Sequence, residues 1–148
     1  METKKALLES EQMAEAIIES SLDAFVQLDE TGTILRWSSK AEAMFGWTGD
    51  EAVGQNHRDL IIPKEKRSAN LKQLTEFLQD FEKGLPGRRC ESPSVRRDGT
   101  QFMTEVSLTA LRRRSGYIII GFLRDITEKR AAEDQLQPSG ERSRNSWR

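Results

Sequence analysis

The sequence holds one histidine, His57, and one cysteine, Cys90, far apart along the chain. Nucleophilic or acid–base catalysis needs a nucleophile, a base and a group that orients the base, all within hydrogen-bond reach. These two positions suggest no such set, and His57 reads as a residue that caps or packs its own helix. A single cysteine can form neither an intramolecular disulfide nor a cysteine-based zinc site, so a structural metal is not expected. The carboxylate pairs Asp29-Glu30 and Asp50-Glu51 sit at turn signals, where solvated or capping roles account for them. Chemistry of another kind is offered by Ser92, Ser94 and Thr104, hydroxyls set among apolar residues at alternate positions. In an apolar cavity such groups orient a small ligand, and in a filled core they bond to backbone; both readings are open. A small isomerase or hydrolase would need a buried, perturbed carboxylate among these residues, and none is there, so the chain reads as no enzyme.

The elements that position these groups follow from periodicity. Ala24 to Asp29 alternates as a strand, Glu30-Thr31-Gly32 is a tight turn, and Thr33 to Trp37 is a second strand. Ser38 or Ser39 caps a short helix from Lys40 to Phe45 that Gly46 stops; Thr48 or Gly49 starts another that ends at Gly54. The stretch Lys64 to Lys83 carries Leu71, Leu74, Phe77, Leu78 and Phe81 at steps of three and four, the longest core helix, closed by Gly84 and Pro86. The period then changes to two. Arg88 to Arg97 is a strand, Arg97-Asp98-Gly99-Thr100 a turn, and Phe102, Thr104, Val106, Leu108 and Ala110 alternate over about ten residues. After a turn from Arg112 to Gly116, the apolar run Tyr117 to Leu123 suits a central strand covered on both faces. The fold class is therefore α+β: a five-stranded antiparallel sheet with short helices and one longer helix on one face, plus flanking helices at both ends.

The first flank, residues 1–20, is free of Gly and Pro and sets Leu7, Met13, Ala14, Ile17 and Ile18 in a narrow apolar stripe. A stripe this thin resembles a seam between two helices, which pairs the chain with its copy, although folding back onto its own domain is also open. The globular domain spans 21–126. From Thr127 the sequence becomes a charged helix to 137 with a thin edge of Ile126, Ala132 and Leu136, cut off by Pro138; residues 138–148 read as a disordered polar tail.

Several weak motifs in one order carry a family resemblance. They are Leu28-Asp29-Glu30-Thr31-Gly32-Thr33-Ile34, Ala41-Glu42-Ala43-Met44-Phe45-Gly46-Trp47, Glu51-Ala52-Val53-Gly54-Gln55, Arg96-Arg97-Asp98-Gly99-Thr100 and Gly121-Phe122-Leu123-Arg124-Asp125-Ile126-Thr127-Glu128. Together they resemble the Per-Arnt-Sim (PAS) family from about Ile17 to Leu136. Trp37-Ser38 departs from the pattern, since many members place Asn after the aromatic or apolar residue, but Ser38 can still cap. The resemblance implies a sensory module of a bacterial-type signalling protein that often holds a ligand between the sheet and the long helix. Alternation then assigns the pocket to Ala24, Val26, Leu28, Cys90, Ser92, Ser94, Phe102, Thr104, Val106, Leu108 and Leu123. It further implies that Asp125, Ile126 and Thr127 form a joint through which the sheet reaches the outgoing helix, although an ordinary helix cap would look the same.

The resemblance also bears on cofactors. Light-sensing members place a reactive cysteine where this chain has His57, which excludes a cysteinyl-flavin adduct. Haem-binding members use a histidine on the long helix; this one has none, with Asn70 near the matching position, so haem is not expected. Non-covalent flavin adenine dinucleotide (FAD) stays open, through aromatic stacking and sheet hydroxyls. The expected partners are a second copy, met through the N-terminal helix and the sheet, and a downstream output domain such as a histidine kinase or cyclase. The alternative is a receptor in which occupancy by a small molecule or flavin is itself the functional event.

Bulk properties agree with a solvated signalling module. The chain has 148 residues, 36% hydrophobic and 32% charged, with 23 Lys plus Arg against 24 Asp plus Glu. A net charge of -1 gives no field to attract nucleic acid or an anionic membrane. The basic runs Arg88-Arg89, Arg96-Arg97 and Arg112-Arg113-Arg114 read as solvated turn charge that discourages edge pairing. No apolar run approaches the roughly 20 residues that cross a bilayer, so direct membrane insertion is not expected and the cytoplasm is the expected compartment.

Overall fold

A computed structural model describes residues 2–20 and 22–136. Helix α1 spans Glu2–Ser20, followed by the hairpin strands β1 (Ala24–Asp29) and β2 (Ile34–Trp37). Three short helices come next, α2 (Ser39–Phe45), α3 (Gly49–Ala52) and α4 (His57–Ile61), then the long α5 (Arg67–Glu82). Strands β3 (Arg88–Val95), β4 (Gln101–Arg113) and β5 (Gly116–Asp125) lead into α6 (Thr127–Leu136). The strands form one antiparallel sheet in the order β2-β1-β5-β4-β3, with β5 at its centre. The tail expected at 138–148 lies outside the described residues.

The short helices stand where local chemistry starts and stops them. Ser38 Oγ accepts from the Ala41 amide at 3.2 Å, capping α2, and also from the Phe25 amide at 2.9 Å, which ties the helix to β1. Gly46 ends α2 at φ 85°, in the left-handed region that only glycine enters freely, with its N–H on the Glu42 carbonyl. Thr48 and Glu51 cap α3 reciprocally as a capping box. The long helix differs from expectation at its start: Lys64–Lys66 is a separate 3-10 turn, and α5 begins at Arg67 without a side-chain cap. Pro63, extended at ψ 141°, lets the chain tighten into that turn before it settles into α-helix.

The last hairpin is longer than expected. Instead of a turn from Arg112 to Gly116, Arg112 pairs with Tyr117 and Arg113 with Gly116, so Arg114 and Ser115 alone make the turn. Ladder hydrogen bonds continue because Arg112 packs over the Tyr117 ring and pairs with Glu82 of α5.

The core lies between the inward face of the sheet and α2 to α5. At the α2 end it is filled by aromatic rings: Phe45 packs between Trp37 and Phe102 with centroid separations of 5.6 and 5.8 Å. Ile34, Ala41 and Ile119 are fully buried around them. The apolar stripe of α5 is only partly used, since Leu74 and Phe77 are buried and Leu71 is half exposed. Helix α1 leaves Leu7, Met13 and Ile17 61%, 66% and 64% exposed, with Ala14 exposed and Ile18 half-buried. An Arg36–Glu15 ion pair links α1 to β2.

Ser38→Ala removes both the α2 cap and the acceptor for a buried Phe25 amide. Urea unfolding should show a loss of about 1–2 kcal/mol; a loss below a few tenths would mean that neither bond matters.

Candidate functional site

The ring-filled core does not continue to the far end of the sheet. Between β3, β4, β5, β1 and the helices α4 and α5 lies a cavity of about 320 Å³. Its sheet wall is Val26 and Leu28 of β1, Val106 and Leu108 of β4, and Gly121 and Leu123 of β5. Strand β3 contributes Cys90, Ser92 and Ser94, with Arg88 and Glu91 also lining the space. Across from them stand His57, Ile61 and Ile62, then Asn70, Gln73, Leu74 and Glu76 of α5. The cavity exists because small residues, Gly121, Ser92 and Ser94, face the helix here, where Phe45 and Phe102 fill the other end. The volume is at the lower end of the range for small-molecule sites.

Of the strand residues assigned to a pocket, Ala24, Phe102 and Thr104 lie outside it. Thr104 is 0% exposed: its hydroxyl donates to the Ser92 carbonyl at 3.0 Å and meets Ser94 Oγ at 2.9 Å. Phe102 turns to Phe45, with the Arg96 guanidinium 3.8 Å over its ring. Ala24 packs into the filled part of the core. The helix wall is absent from the sequence reading, which took α5 by its apolar stripe alone. Its signal was the i, i+3 placement of Asn70 and Gln73 beside Leu74 and Phe77, which puts amides at the edge of a buried face.

His57 both packs and lines the cavity. It is 6% exposed, with Nδ1 3.0 Å from the Gly32 carbonyl oxygen and Nε2 3.1 Å from Asn70 Oδ1. The turn is shaped around the ring: Gly32 sits at φ 93°, and a Cβ there would stand 2.9 Å from Nδ1. Burial pushes the imidazole pKa down to about 4, against the opposing pull of the Gly32 carbonyl.

Asp125, Ile126 and Thr127 meet at the exit from the sheet. Asp125 Oδ1 accepts from the Thr127 amide at 2.9 Å and from its hydroxyl at 2.6 Å, and Oδ2 accepts from Arg96 Nη2 at 2.7 Å. Burial works to raise the Asp125 pKa, but the bonds from Arg96 and Thr127 outweigh it and hold the carboxyl below its ordinary value. Arg96 also donates to the Met44 carbonyl at 2.6 Å. Ile126 is buried, and its amide donates to the Met103 carbonyl at 3.2 Å.

The family model of the PAS fold matches residues 12–126. The chain belongs to the PAS family. Its PAS domain is 30% identical over 132 residues to the sensor protein FixL of Bradyrhizobium diazoefficiens, covering 89% of this chain and 26% of FixL. It superimposes on the PAS domain of an HTR-like protein from Haloarcula marismortui with TM-score 0.66 at 26% identity, covering 84% of this chain and 98% of that one. The RpfR quorum-sensing receptor PAS domain of Cronobacter turicensis, solved in complex with C12:0, matches with TM-score 0.60 at 25% identity, over 72% of this chain and 96% of that one. The chain spans about a quarter or less of the length of the curated relatives it matches.

The PAS scaffold narrows the cofactor classes. A histidine-ligated haem does not fit the cavity: the single histidine of the sequence is His57, α5 has none, and both ring nitrogens of His57 are engaged. Among the described residues no Phe, Tyr or Trp lines the cavity to stack on a flavin. Among the described residues no group of His, Cys, Asp and Glu is placed to hold a metal ion. No helix among them is long and apolar enough to cross a membrane.

The depressed His57 pKa makes stability pH-dependent with a definite sign. Below pH 6.5 the unfolded chain takes up a proton that the folded chain refuses until about pH 4, so stability falls as pH is lowered through this window. The whole interval corresponds to about 3 kcal/mol. Carboxylates held low in the fold, such as Asp29 and Asp125, add their own loss only near and below their ordinary value of 3.8. Denaturant titrations from pH 6.5 down to about 5 should therefore show a decline that His57→Gln abolishes; an unchanged slope in the variant would contradict the assignment.

Proposed function

We propose that this PAS domain is a non-catalytic sensory module that binds a small amphipathic organic molecule between its sheet and α5. Occupancy is passed through the Asp125-Ile126-Thr127 joint to α6 and on to an output partner such as a histidine kinase. One observation carries the reading. Asp125, the last residue of β5, stands two residues beyond the cavity-lining Leu123, and its partner Arg96 directly follows the end of β3, two residues beyond the cavity-lining Ser94. Residues two apart on a strand share a face, so a ligand that shifts β3 against β5 acts directly on the pair that holds the first turn of α6. The RpfR PAS domain, of the same fold and solved with C12:0, supports a ligand-binding use of the cavity.

Transmission also needs a second copy. The exposed Leu7 and Met13 of α1 supply a seam for a homodimer, with the outer face of the sheet beside it. Phe25 and Phe122 pack edge to face on that outer side with centroids 5.3 Å apart. A signal at the sheet would then change how the terminal helices cross in the dimer.

Native mass spectrometry of the full chain tests both parts at once. The expected spectrum is a dimer carrying one small-molecule adduct per protomer. Val106→Trp, which fills the cavity, should remove the adduct and keep the dimer, and Leu7→Lys with Met13→Lys should give a monomer that keeps the adduct. A monomeric wild-type chain without adduct would overturn the proposal.

A further inference from the structure

The hydrogen-bond network around the cavity fixes which kind of polar ligand it accepts. The Gly32 carbonyl can only accept, so His57 Nδ1 carries the ring proton that faces it at 3.0 Å. The His57 backbone amide donates to the same carbonyl at 2.9 Å, which clamps the ring in place. A neutral imidazole has one N–H, so Nε2 is an acceptor; Asn70 Oδ1 stands 3.1 Å from it, and the contact becomes a hydrogen bond once the side-chain amide is assigned the other way round, with its NH₂ toward the ring. The opposite corner of that planar amide, the carbonyl oxygen, is then the atom left to the cavity that Asn70 lines.

The β3 side reaches the same polarity independently. Thr104 gives its hydroxyl proton to the Ser92 carbonyl at 3.0 Å, so in the 2.9 Å Ser94–Thr104 contact the proton comes from Ser94. Both hydroxyl protons are consumed, and Ser94 faces the cavity with a lone pair only. Glu76 adds negative charge to the lining, Glu91 is shared with Arg130 at 3.7 Å, Arg88 is held by Asp80 at 2.9 Å, and the Gln73 amide can donate or accept.

We infer that the cavity favours ligands that donate a hydrogen bond to Asn70 and Ser94: apolar bodies bearing an N–H or O–H group. His57 is the positioning residue for Asn70, which it sets as an acceptor from its own place in the cavity wall. This rests on the cavity being a binding site.

The test uses the full chain and two bicyclic probes of equal shape, indole and benzofuran, in which an N–H is exchanged for an ether oxygen. Calorimetric titration should give indole an affinity at least about tenfold higher, the worth of one good buried hydrogen bond. His57→Phe frees the Asn70 amide to turn over, so the ratio of the two affinities should shrink to about twofold or less. If that variant does not fold, nitrogen chemical shifts of the wild-type imidazole near neutral pH decide the matter. They should show Nδ1 protonated and Nε2 bare. Benzofuran binding as well as indole, or a protonated Nε2, overturns the inference. Equal binding of both probes that Val106→Trp abolishes leaves the binding-site reading standing, whereas no binding of either probe by a chain that carries no adduct removes both.

Discussion

Everything in this domain depends on the register of β4 against β5, which pair without interruption from Thr104–Asp125 to Arg113–Gly116. A slip of one residue would turn every inward side chain of a strand to solvent. Phe102 would leave Phe45, Val106 and Leu108 would leave the cavity, and Thr104 would lose Ser94. The same register sets Met103 beside Ile126 and so fixes where α6 begins. Core, cavity and exit are consequences of one ladder.

Along that ladder the inward face changes character. Against α2 the rings Trp37, Phe45 and Phe102 meet and leave no space; elsewhere on the same face hydroxyls of β3 and Gly121 of β5 face an amide-bearing helix across the cavity. Apolar walls offer dispersion contacts to an apolar body of matching shape. The polar groups around the cavity are mostly satisfied by one another.

Once the resemblance pointed to the inner face, period two picked out its side chains, because strand alternation maps directly onto facing: Val26, Leu28, Val106, Leu108 and Leu123 line the cavity. The same rule misplaced Ala24, Phe102 and Thr104, since it gives the face and not the distance along it, and only packing against α2 shows which part of the face is filled. The helix half was harder. Asn70 and Gln73 look like solvated positions until α4 is laid across α5, and a lone His57 betrays nothing of a carbonyl in a distant turn. Caps and glycine stops were legible because their chemistry is local: Ser38, Gly46 and Thr48 each act within a few residues of themselves. The strand ends around Arg112 were not, because the pairing there is extended by contacts with Glu82 and Tyr117 that no local signal announces.

The central claim is that the state of the cavity reaches α6 through Arg96 and Asp125. Hydrogen exchange of the Thr127 amide, held by Asp125 Oδ1 at 2.9 Å, reads this most directly. Exchange would be compared between the wild-type chain and Val106→Trp, each with and without Arg96→Met. The account predicts that filling the cavity changes Thr127 protection by about tenfold or more, and that the change vanishes in the Arg96→Met background. Unaltered Thr127 exchange, while amides of β4 and β5 around the cavity do respond, would contradict it.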